Sequence, residues 1–178
     1  ISCEEEDTQM VYELNEPDDL PEEVYGVYSA MIDQMYGQKN YVMIRQETDT
    51  TLFRPGCRDL MHSDTTSLKE ITLLDYLQNN KTSSSLGDSF SDHLQIRLIT
   101  REELSSYENW ERFHENNPQA EGVLIFRLPG FNADSTQALF EYSWLSDDHS
   151  NRDHLLYMEC HQNQWCISAH ESYPSRLN

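Results

Sequence analysis

The sequence predicts an α+β domain in which N-terminal helices pack on a C-terminal antiparallel meander sheet. In the first part of the chain, apolar residues recur mainly at spacings of three and four, as they do along one side of a helix. From Gly122 onward the spacing changes to two, which is typical of strands, and the short connections between these strands favour a meander. We therefore expect the helices to cover one face of the sheet.

The first helix is predicted to begin after Pro21. Asp18 and Asp19 can cap it, and proline followed by two acidic residues suits a first helical turn. Apolar residues at helical spacing continue to Gly37, which can end the helix; they are Val24, Val27, Tyr28, Met31 and Met35. Residues 41–47 then read as a strand with Val42 and Ile44 on one face and Met43 on the other.

Two further helices are predicted from capping boxes at Ser67 to Glu70 and at Thr100 to Glu103. The second of these helices is expected to reach the vicinity of Pro118. Between the two helices, the serine-rich stretch 79–91 is expected to be a mobile loop and residues 94–100 a short strand.

Four strands are predicted in the last third of the chain. The unbroken apolar run 123–126 suits a central strand that is buried on both faces. Residues 137–145 alternate in polarity, and residues 155–160 and 165–169 complete the meander. In the last strand, Trp165 and Ile167 are expected to point to the covered face of the sheet.

The chain has 178 residues, with 12 Lys and Arg against 32 Asp and Glu and a net charge of −20. Such a charge repels nucleic-acid phosphates and anionic lipid headgroups, and no apolar run is long enough to span a bilayer. No Lys or Arg precedes Lys39, whereas acidic residues are frequent there. We expect residues 1–19 to form an acidic disordered tether and residues 20–178 to form a single α+β domain.

The first seven residues, Ile1-Ser2-Cys3-Glu4-Glu5-Glu6-Asp7, resemble the end of a bacterial lipoprotein signal peptide followed by a surface-export tether. The resemblance implies that Cys3 carries a lipid anchor. It also implies a location in the bacterial cell envelope, at the outer membrane or the cell surface, with membrane contact only through that anchor. An ordinary cysteine near the start of the chain is the alternative.

The order of a leading helix, a second helical region and a terminal meander resembles the cone-like NTF2/cystatin-type fold. Segments 122–126, 129–132 and 136–139 are also similar to those of an uncharacterised bacterial envelope-protein family. That family implies no activity or cofactor, so the function is not inferred from it. A cone-like fold offers a pocket between helix and sheet, and Tyr28, Tyr142, Trp144 and Tyr157 are candidates to line it, unless they belong to the core.

Cys160 and Cys166 flank the last predicted hairpin turn. A three-residue loop would place them opposite each other for a disulfide, whereas a two-residue turn would place them on opposite faces. His154, His161 and His170 lie nearby, with Cys166 and His170 on one face of the strand, but the spacing matches no zinc finger. We expect no metal site and no cofactor.

No nucleophile elbow, phosphate-binding loop, dinucleotide fingerprint or zinc-protease helix occurs in the chain, so no catalytic residue is assigned. The favoured hypothesis is a non-catalytic envelope lipoprotein domain that binds a protein or a small apolar ligand. The alternative is an acidic immunity-type inhibitor, whose charge would steer it to a basic toxin.

Overall fold

The computed structural model describes residues 11–39, 41–51, 68–147 and 151–174. In chain order its elements are α1 (Glu22–Tyr36), β1 (Val42–Arg45), α2 (Glu70–Asn79), β2 (Ile96–Ile99), α3 (Arg101–Ser106), α4 (Trp110–Asn116), β3 (Val123–Phe126), β4 (Gly130–Phe131), β5 (Gln137–Leu145), β6 (Arg152–His161) and β7 (Gln164–Pro174). The predicted α+β class is confirmed.

All seven described strands form one mixed sheet in the order β2-β1-β3-β5-β6-β7, with β4 paired to β5. Strands β5, β6 and β7 are antiparallel neighbours, as the meander requires. Strand β1, however, is parallel to both β2 and β3. The sheet is therefore mixed: the predicted antiparallel arrangement holds for its C-terminal strands, whereas long crossovers instead of hairpins connect the parallel strands of its first half.

Helices lie on both faces of the sheet, so the expectation of one covered face is also wrong. One face, the α1 face, packs alternate residues of the strands against α1, including Ile44, Phe126 and Phe140. On the opposite face, Phe113 of α4 covers Met43 and Ile125. Further along that face, Tyr76 of α2 covers another cluster of buried residues, which comprises Leu139, Leu155 and Tyr157. A strand that is apolar on both faces, such as β3, needs cover from both sides.

The core on the α1 face is aromatic. Tyr28 stacks on Phe126 with ring centroids 4.1 Å apart and meets Phe140 edge-on. Its hydroxyl donates a 2.9 Å hydrogen bond to the carbonyl oxygen of Arg127. Burial raises the pKa of Tyr28 well above its usual value. The helical stripe predicted from the sequence thus identifies the packed side of α1 correctly.

Asn15 and Asp18, which the sequence assigned to a disordered tether over residues 1–19, are hydrogen-bonded to the domain. The backbone N–H of Asn15 donates to Oε1 of Gln46, and Gln46 donates back to the Asn15 carbonyl, both at 2.8 Å. Asp18 exchanges two hydrogen bonds with the backbone of Ser85, each 2.9 Å long. These contacts are polar, so the pattern of apolar residues along the sequence does not predict them. Residues 1–10 lie outside the described residues.

The serine-rich stretch 79–91 is packed, not a mobile loop. Leu86 and Phe90 are buried in the core of the α1 face. The backbone of residues 84–86 pairs with Gln46 and Thr48, which follow β1. Two buried apolar side chains anchor this serine-rich segment. Its backbone groups also form hydrogen bonds with the residues that follow β1, so the segment is ordered.

The helix predicted from Thr100 to the vicinity of Pro118 is two helices. The Thr100 hydroxyl caps α3 by accepting a hydrogen bond from the backbone N–H of Glu103, as the capping box predicts. Asn109 then caps α4 by accepting one from Arg112. A second capping residue inside an apolar repeat ends one helix and begins another. Ser67 of the other capping box lies outside the described residues, and α2 begins at Glu70.

Strand β7 forms one edge of the sheet. Its residues Trp165 and Ile167 point to the α1 face, as expected, but they are half-buried because no strand lies beyond them. The register shifts where Tyr157 and Met158 of β6 face Ala169 and Ile167 of β7, which is a β-bulge. Beyond the bulge, Ala169 and Tyr173 therefore pack on the opposite face.

Candidate functional site

The four aromatic residues predicted to line a pocket do not share one. Tyr28 and Tyr142 are fully buried on the α1 face, and Tyr157 is fully buried on the opposite face. Only Trp144, which is half-buried, borders open space. Alternating residues of a strand point to opposite faces. Tyr157 of β6 pairs with Leu139 of β5, which lies three positions before Tyr142 in that strand, so Tyr157 and Tyr142 point to opposite faces of the sheet.

Trp144 instead lines an open cleft of about 570 Å³ where α1 and β5 end. Its walls come from α1, α4 and the segments that flank β3 and β5: Tyr36, Lys39, His114, Ala120, Glu121, Trp144, Ser146 and Asp147. The location follows from the lengths of the elements, because α1 stops at Tyr36 while β5 continues to Leu145. The side chains beyond the helix end are left facing solvent, and we call this cavity the Trp144 cleft.

The floor of the Trp144 cleft is a pair of stacked aromatic rings. The rings of Tyr36 and Trp144 lie 5.2 Å apart between centroids with an interplanar angle of 26°. The Lys39 ammonium lies 5.5 Å from the Trp144 ring centroid, within the range of a cation–π contact. Burial raises the pKa of Tyr36, partly offset by its hydrogen bond with Tyr142. The stacked rings offer a flat apolar surface that is already in place.

Charged and polar side chains form the rim of the Trp144 cleft. Lys39 pairs with Glu121, and Nε2 of His114 lies 3.3 Å from Oδ2 of Asp147. The Glu121 and Asp147 side chains are 67% and 56% exposed, so each carboxylate also faces solvent. Burial lowers the pKa of Lys39. The cleft can therefore offer a ligand both an aromatic face and acceptor oxygens.

Two histidines, one on β6 and one on β7, form a hydrogen-bonded pair on the α1 face. Nδ1 of His154 and Nε2 of His170 are 2.8 Å apart, and the His154 ring stacks on Tyr142 with centroids 4.5 Å apart and an angle of 7°. Burial, with lesser contributions from His170 and Arg152, lowers the pKa of His154 to about 4. Burial also lowers the pKa of His170, so both rings are neutral at pH 7.

A buried ionic network lies on the opposite face, between the clusters covered by α2 and α4. Arg127 is 1% exposed, and its guanidinium reaches Oε2 of Glu141 at 3.3 Å and Oδ2 of Asp49 at 3.2 Å. The same group donates to the hydroxyl of Ser143, which in turn donates to Asp153. Because these side chains are enclosed, the network has a structural role in fixing β3, β5 and β6.

Cys160 and Cys166 are free thiols. The hairpin has a two-residue turn, Gln162 and Asn163, both with positive φ, so Cys160 faces Trp165 and Cys166 faces Glu159. The two sulfurs point to opposite faces, which excludes the predicted alternative of a disulfide in this register. The bulge also separates Cys166 from His170, which the sequence placed on one face. Cys3, the predicted lipidation site, lies outside the described residues.

Within the described part of the chain, no group of three or more His, Cys, Asp or Glu side chains is arranged to hold a metal ion. None of the helices in that part is long and apolar enough to cross a membrane.

The sequence did not identify Tyr36, Lys39 or His114 as site residues. Tyr36 continues the apolar stripe of α1 four residues after Ile32 and packs at the border of the core, so an aromatic residue at the exposed end of the stripe was the available signal. Lys39 and His114 come from segments far apart in the chain. Only the fold brings them together.

No protein-family model, no curated protein and no solved structure matches this chain.

Proposed function

We propose that this protein is an acidic, non-catalytic binding domain that recognises a basic protein partner at the Trp144 cleft. The observation that carries the proposal is the combination, in one open cleft, of a stacked aromatic floor with the exposed carboxylates of Glu121 and Asp147. An Arg or Lys side chain of a partner fits both features, because it can stack on the rings while it pairs with a carboxylate.

Electrostatics of the whole chain support a basic partner. A net charge of −20 attracts cationic surfaces over long distances and raises the rate at which they meet the protein. Lys39 already holds one such position, over the Trp144 ring and beside Glu121. We expect a cation of the partner to replace Lys39 at this position and to make the same contacts with the Trp144 ring and the Glu121 carboxylate.

We place this binding domain in the bacterial cell envelope, held by a lipid on Cys3, on the strength of the N-terminal sequence pattern. Mass spectrometry of the protein isolated from its own membranes tests the anchor. An acylated Cys3 is expected, and a Cys3→Ser variant should leave the membrane fraction. An unmodified Cys3 in native protein would refute the anchor without bearing on the cleft.

An immunity-type inhibitor of a basic toxin is the second candidate function, and the same charge of −20 favours it. Both candidates require a basic partner. They differ in lipidation, because a cytoplasmic inhibitor would carry no acyl chain on Cys3.

A short Arg-Gly repeat peptide is the probe for the proposed function. In NMR titrations at low ionic strength, the indole signal of Trp144 and the amides around Glu121 and Asp147 should shift first. An exposed charge contact contributes up to about 1 kcal/mol, about fivefold in affinity, so Glu121→Gln and Asp147→Asn should each weaken binding by up to that factor.

The matched control is Asp88→Asn. Asp88 is an exposed acid that follows Gly87, whose backbone donates to Tyr25 near the other end of α1, so this variant changes the net charge equally far from the cleft. Its affinity should stay close to that of the parent. If the three variants weaken binding equally, the peptide is responding to net charge alone, and the cleft is not the binding site.

A further inference from the structure

We propose that Arg45 binds a small oxyanion, a carboxylate or a phosphate group, at the carboxyl ends of the parallel strands β1, β2 and β3. Nη2 of Arg45 would donate to an oxygen of the anion, and the exposed side chain of Arg101 would pair with the anion from the solvent side. The Trp144 cleft lies at the other end of β3, where Glu121 precedes the strand, so the two sites are independent.

The observation that carries the proposal is a buried guanidinium nitrogen without a partner. Arg45 is 7% exposed, and its Nε donates a 2.8 Å hydrogen bond to the carbonyl oxygen of Glu47. Its enclosed Nη2 has no hydrogen-bond partner within the described part of the chain. A buried donor that lacks an acceptor is costly, and a charged one more so, which indicates that a ligand supplies the acceptor.

The carboxylate of Glu47 acts on Arg45 through its charge but is engaged with other donors. Its Oε1 accepts a 2.8 Å hydrogen bond from the side chain of Asn15, and its Oε2 accepts a 2.9 Å hydrogen bond from the backbone N–H of Arg101. Turning this carboxylate toward Arg45 would break both hydrogen bonds. Glu47 is therefore not a spare acceptor for Nη2.

Asp49 is the second carboxylate that acts on Arg45, and it is engaged as well. Its Oδ2 accepts a 3.2 Å hydrogen bond from the buried guanidinium of Arg127, and its Oδ1 accepts a 2.9 Å hydrogen bond from the backbone N–H of Thr50. Both oxygens thus already serve other donors. The charge of Arg45 is partly balanced by these carboxylates, but its Nη2 still needs an acceptor.

Three arginines come together at this edge of the sheet. Strand β1 ends at Arg45, Arg101 lies two residues after β2, and Arg127 directly follows β3. Because β1 is parallel to both neighbours, these three ends share one edge, which is where parallel sheets usually bind ligands. Only 12 Lys and Arg occur in the whole chain, so three at one edge concentrate positive charge in an acidic protein.

The electrostatics of Arg45 favour an added anion. Burial, together with the charges of Arg101 and Arg127, lowers the pKa of Arg45 to about 10 against the opposing effect of the two carboxylates, so Arg45 stays charged at pH 7. An anion beside the three arginines would relieve their mutual repulsion. The net charge of −20 opposes the approach of any anion, so we expect weak binding that needs millimolar concentrations.

Inorganic phosphate and acetate are the two probes, each added to the full chain with sodium chloride holding the ionic strength constant. In NMR titrations, the Nε–H signal of Arg45 and the backbone amide signal of Arg101 should shift first. A response that chloride does not reproduce supports the site, and the stronger of the two probes identifies the ligand as a phosphate or a carboxylate. Shifts no larger than those with chloride would overturn the proposal.

Arg101→Gln tests the solvent side of the site. It should weaken phosphate binding by up to about fivefold, which is the effect of one exposed charge contact. Because Arg101 is exposed, this variant should remain folded. Arg112→Gln is the matched control, since Arg112 lies on α4, is 65% exposed and carries the same charge. It should bind phosphate as the parent does, and equal weakening in both variants would show a response to net charge alone and overturn the site.

Arg45→Met tests the buried side. In the parent, phosphate should raise the melting temperature above that in chloride of equal ionic strength, because a ligand that binds only the folded state stabilises it. Arg45→Met should lose this rise. Without phosphate it should melt close to the parent, because it removes a buried charge whose hydrogen bonds are incomplete. A phosphate effect that persists in Arg45→Met, or a large loss of stability without phosphate, would contradict a ligand-binding role for Arg45.

Discussion

Arg127 has the most demanding environment of the described residues. It is the largest fully buried side chain, and its charge is balanced by Glu141 and Asp49 in the interior. Its own carbonyl oxygen accepts the hydrogen bond of Tyr28 from the other face. One residue at the end of β3 thus connects the polar network on one face with the aromatic core on the other.

Replacing Arg127 by Met should destabilise the fold by about 3–5 kcal/mol, because it leaves the buried carboxylates without this cation. Urea denaturation followed by circular dichroism measures the loss. Arg112→Met is the control, since Arg112 is 65% exposed and pairs only at the surface with Glu115. Its effect should stay within about 0.5 kcal/mol. Equal effects of the two variants would contradict a structural role for the buried network.

Two glycines are expected to respond in opposite ways to the same change. At Gly130 a Cβ would collide with the backbone of Tyr76 and Thr72, where α2 approaches β4 closely. Gly130→Ala should therefore push α2 away and destabilise the fold. At Gly26, inside α1, a Cβ would make an ordinary 3.8 Å contact with Trp165. Gly26→Ala should stabilise the helix by about 0.5–1 kcal/mol, measured by thermal unfolding.

At the scale of elements, the edge strand β7 is shielded by one side chain of α1. The amide nitrogen of Gln34 donates to the Trp165 carbonyl at 2.8 Å, and its oxygen accepts from the Ile167 N–H at 3.0 Å. Gln34 therefore occupies the positions that a neighbouring strand would use. An unshielded edge is a template for pairing with another chain.

Gln34→Leu should make the protein self-associate as its concentration rises, because the backbone groups of β7 become available to a second copy. Light scattering after size-exclusion chromatography measures this. Gln38→Leu adds the same apolar group at a nearby exposed position without freeing β7, and it should remain like the parent. If both variants associate equally, the added apolar surface of leucine explains the effect, and the proposal that Gln34 shields the edge of β7 is refuted.

The segment 15–18 and the helices show which features of the structure can be predicted from local sequence patterns. The stripe of α1, the Thr100 cap and the extent of β5 were predicted correctly because each depends on neighbours within a few residues. The docking of Asn15 on Gln46 and the parallel pairing of β1 with β3 depend on residues far apart in the chain. The Trp144 cleft is of the second kind, so only one of its residues was predicted.

Asp18→Ala should destabilise the fold by about 1 kcal/mol, because it removes the hydrogen bond that the Asp18 carboxylate accepts from the Ser85 backbone. Asp19→Ala removes the same charge at the next, exposed position and should have little effect. Thermal unfolding of the two variants separates the contact from the charge. Identical melting temperatures would indicate that the contact between Asp18 and Ser85 does not stabilise the fold.

At the scale of the whole molecule, the acidic surface opposes the compact state. A charge of −20 on one small domain produces repulsion between carboxylates that unfolding relieves. The core on both faces of the sheet must outweigh this repulsion. The buried pairs of Arg127 contribute to the balance and are screened much less by salt than the exposed acids are.

Moderate salt should therefore stabilise this protein. Raising the ionic strength to about 0.15 M shortens the Debye length to about 8 Å, which screens repulsion between exposed acids, so the urea midpoint should rise from its low-salt value. A variant with Asp88, Asp92 and Glu102 changed to their amides is the control, because all three are exposed and carry the same sign of charge. At low salt, the urea midpoint of this variant should be higher than that of the parent. Added salt should raise the midpoint of the variant less than it raises that of the parent. A midpoint that falls with salt in the parent would show that attractive surface pairs, such as Arg112 with Glu115, outweigh the repulsion, and the net charge would then not limit stability.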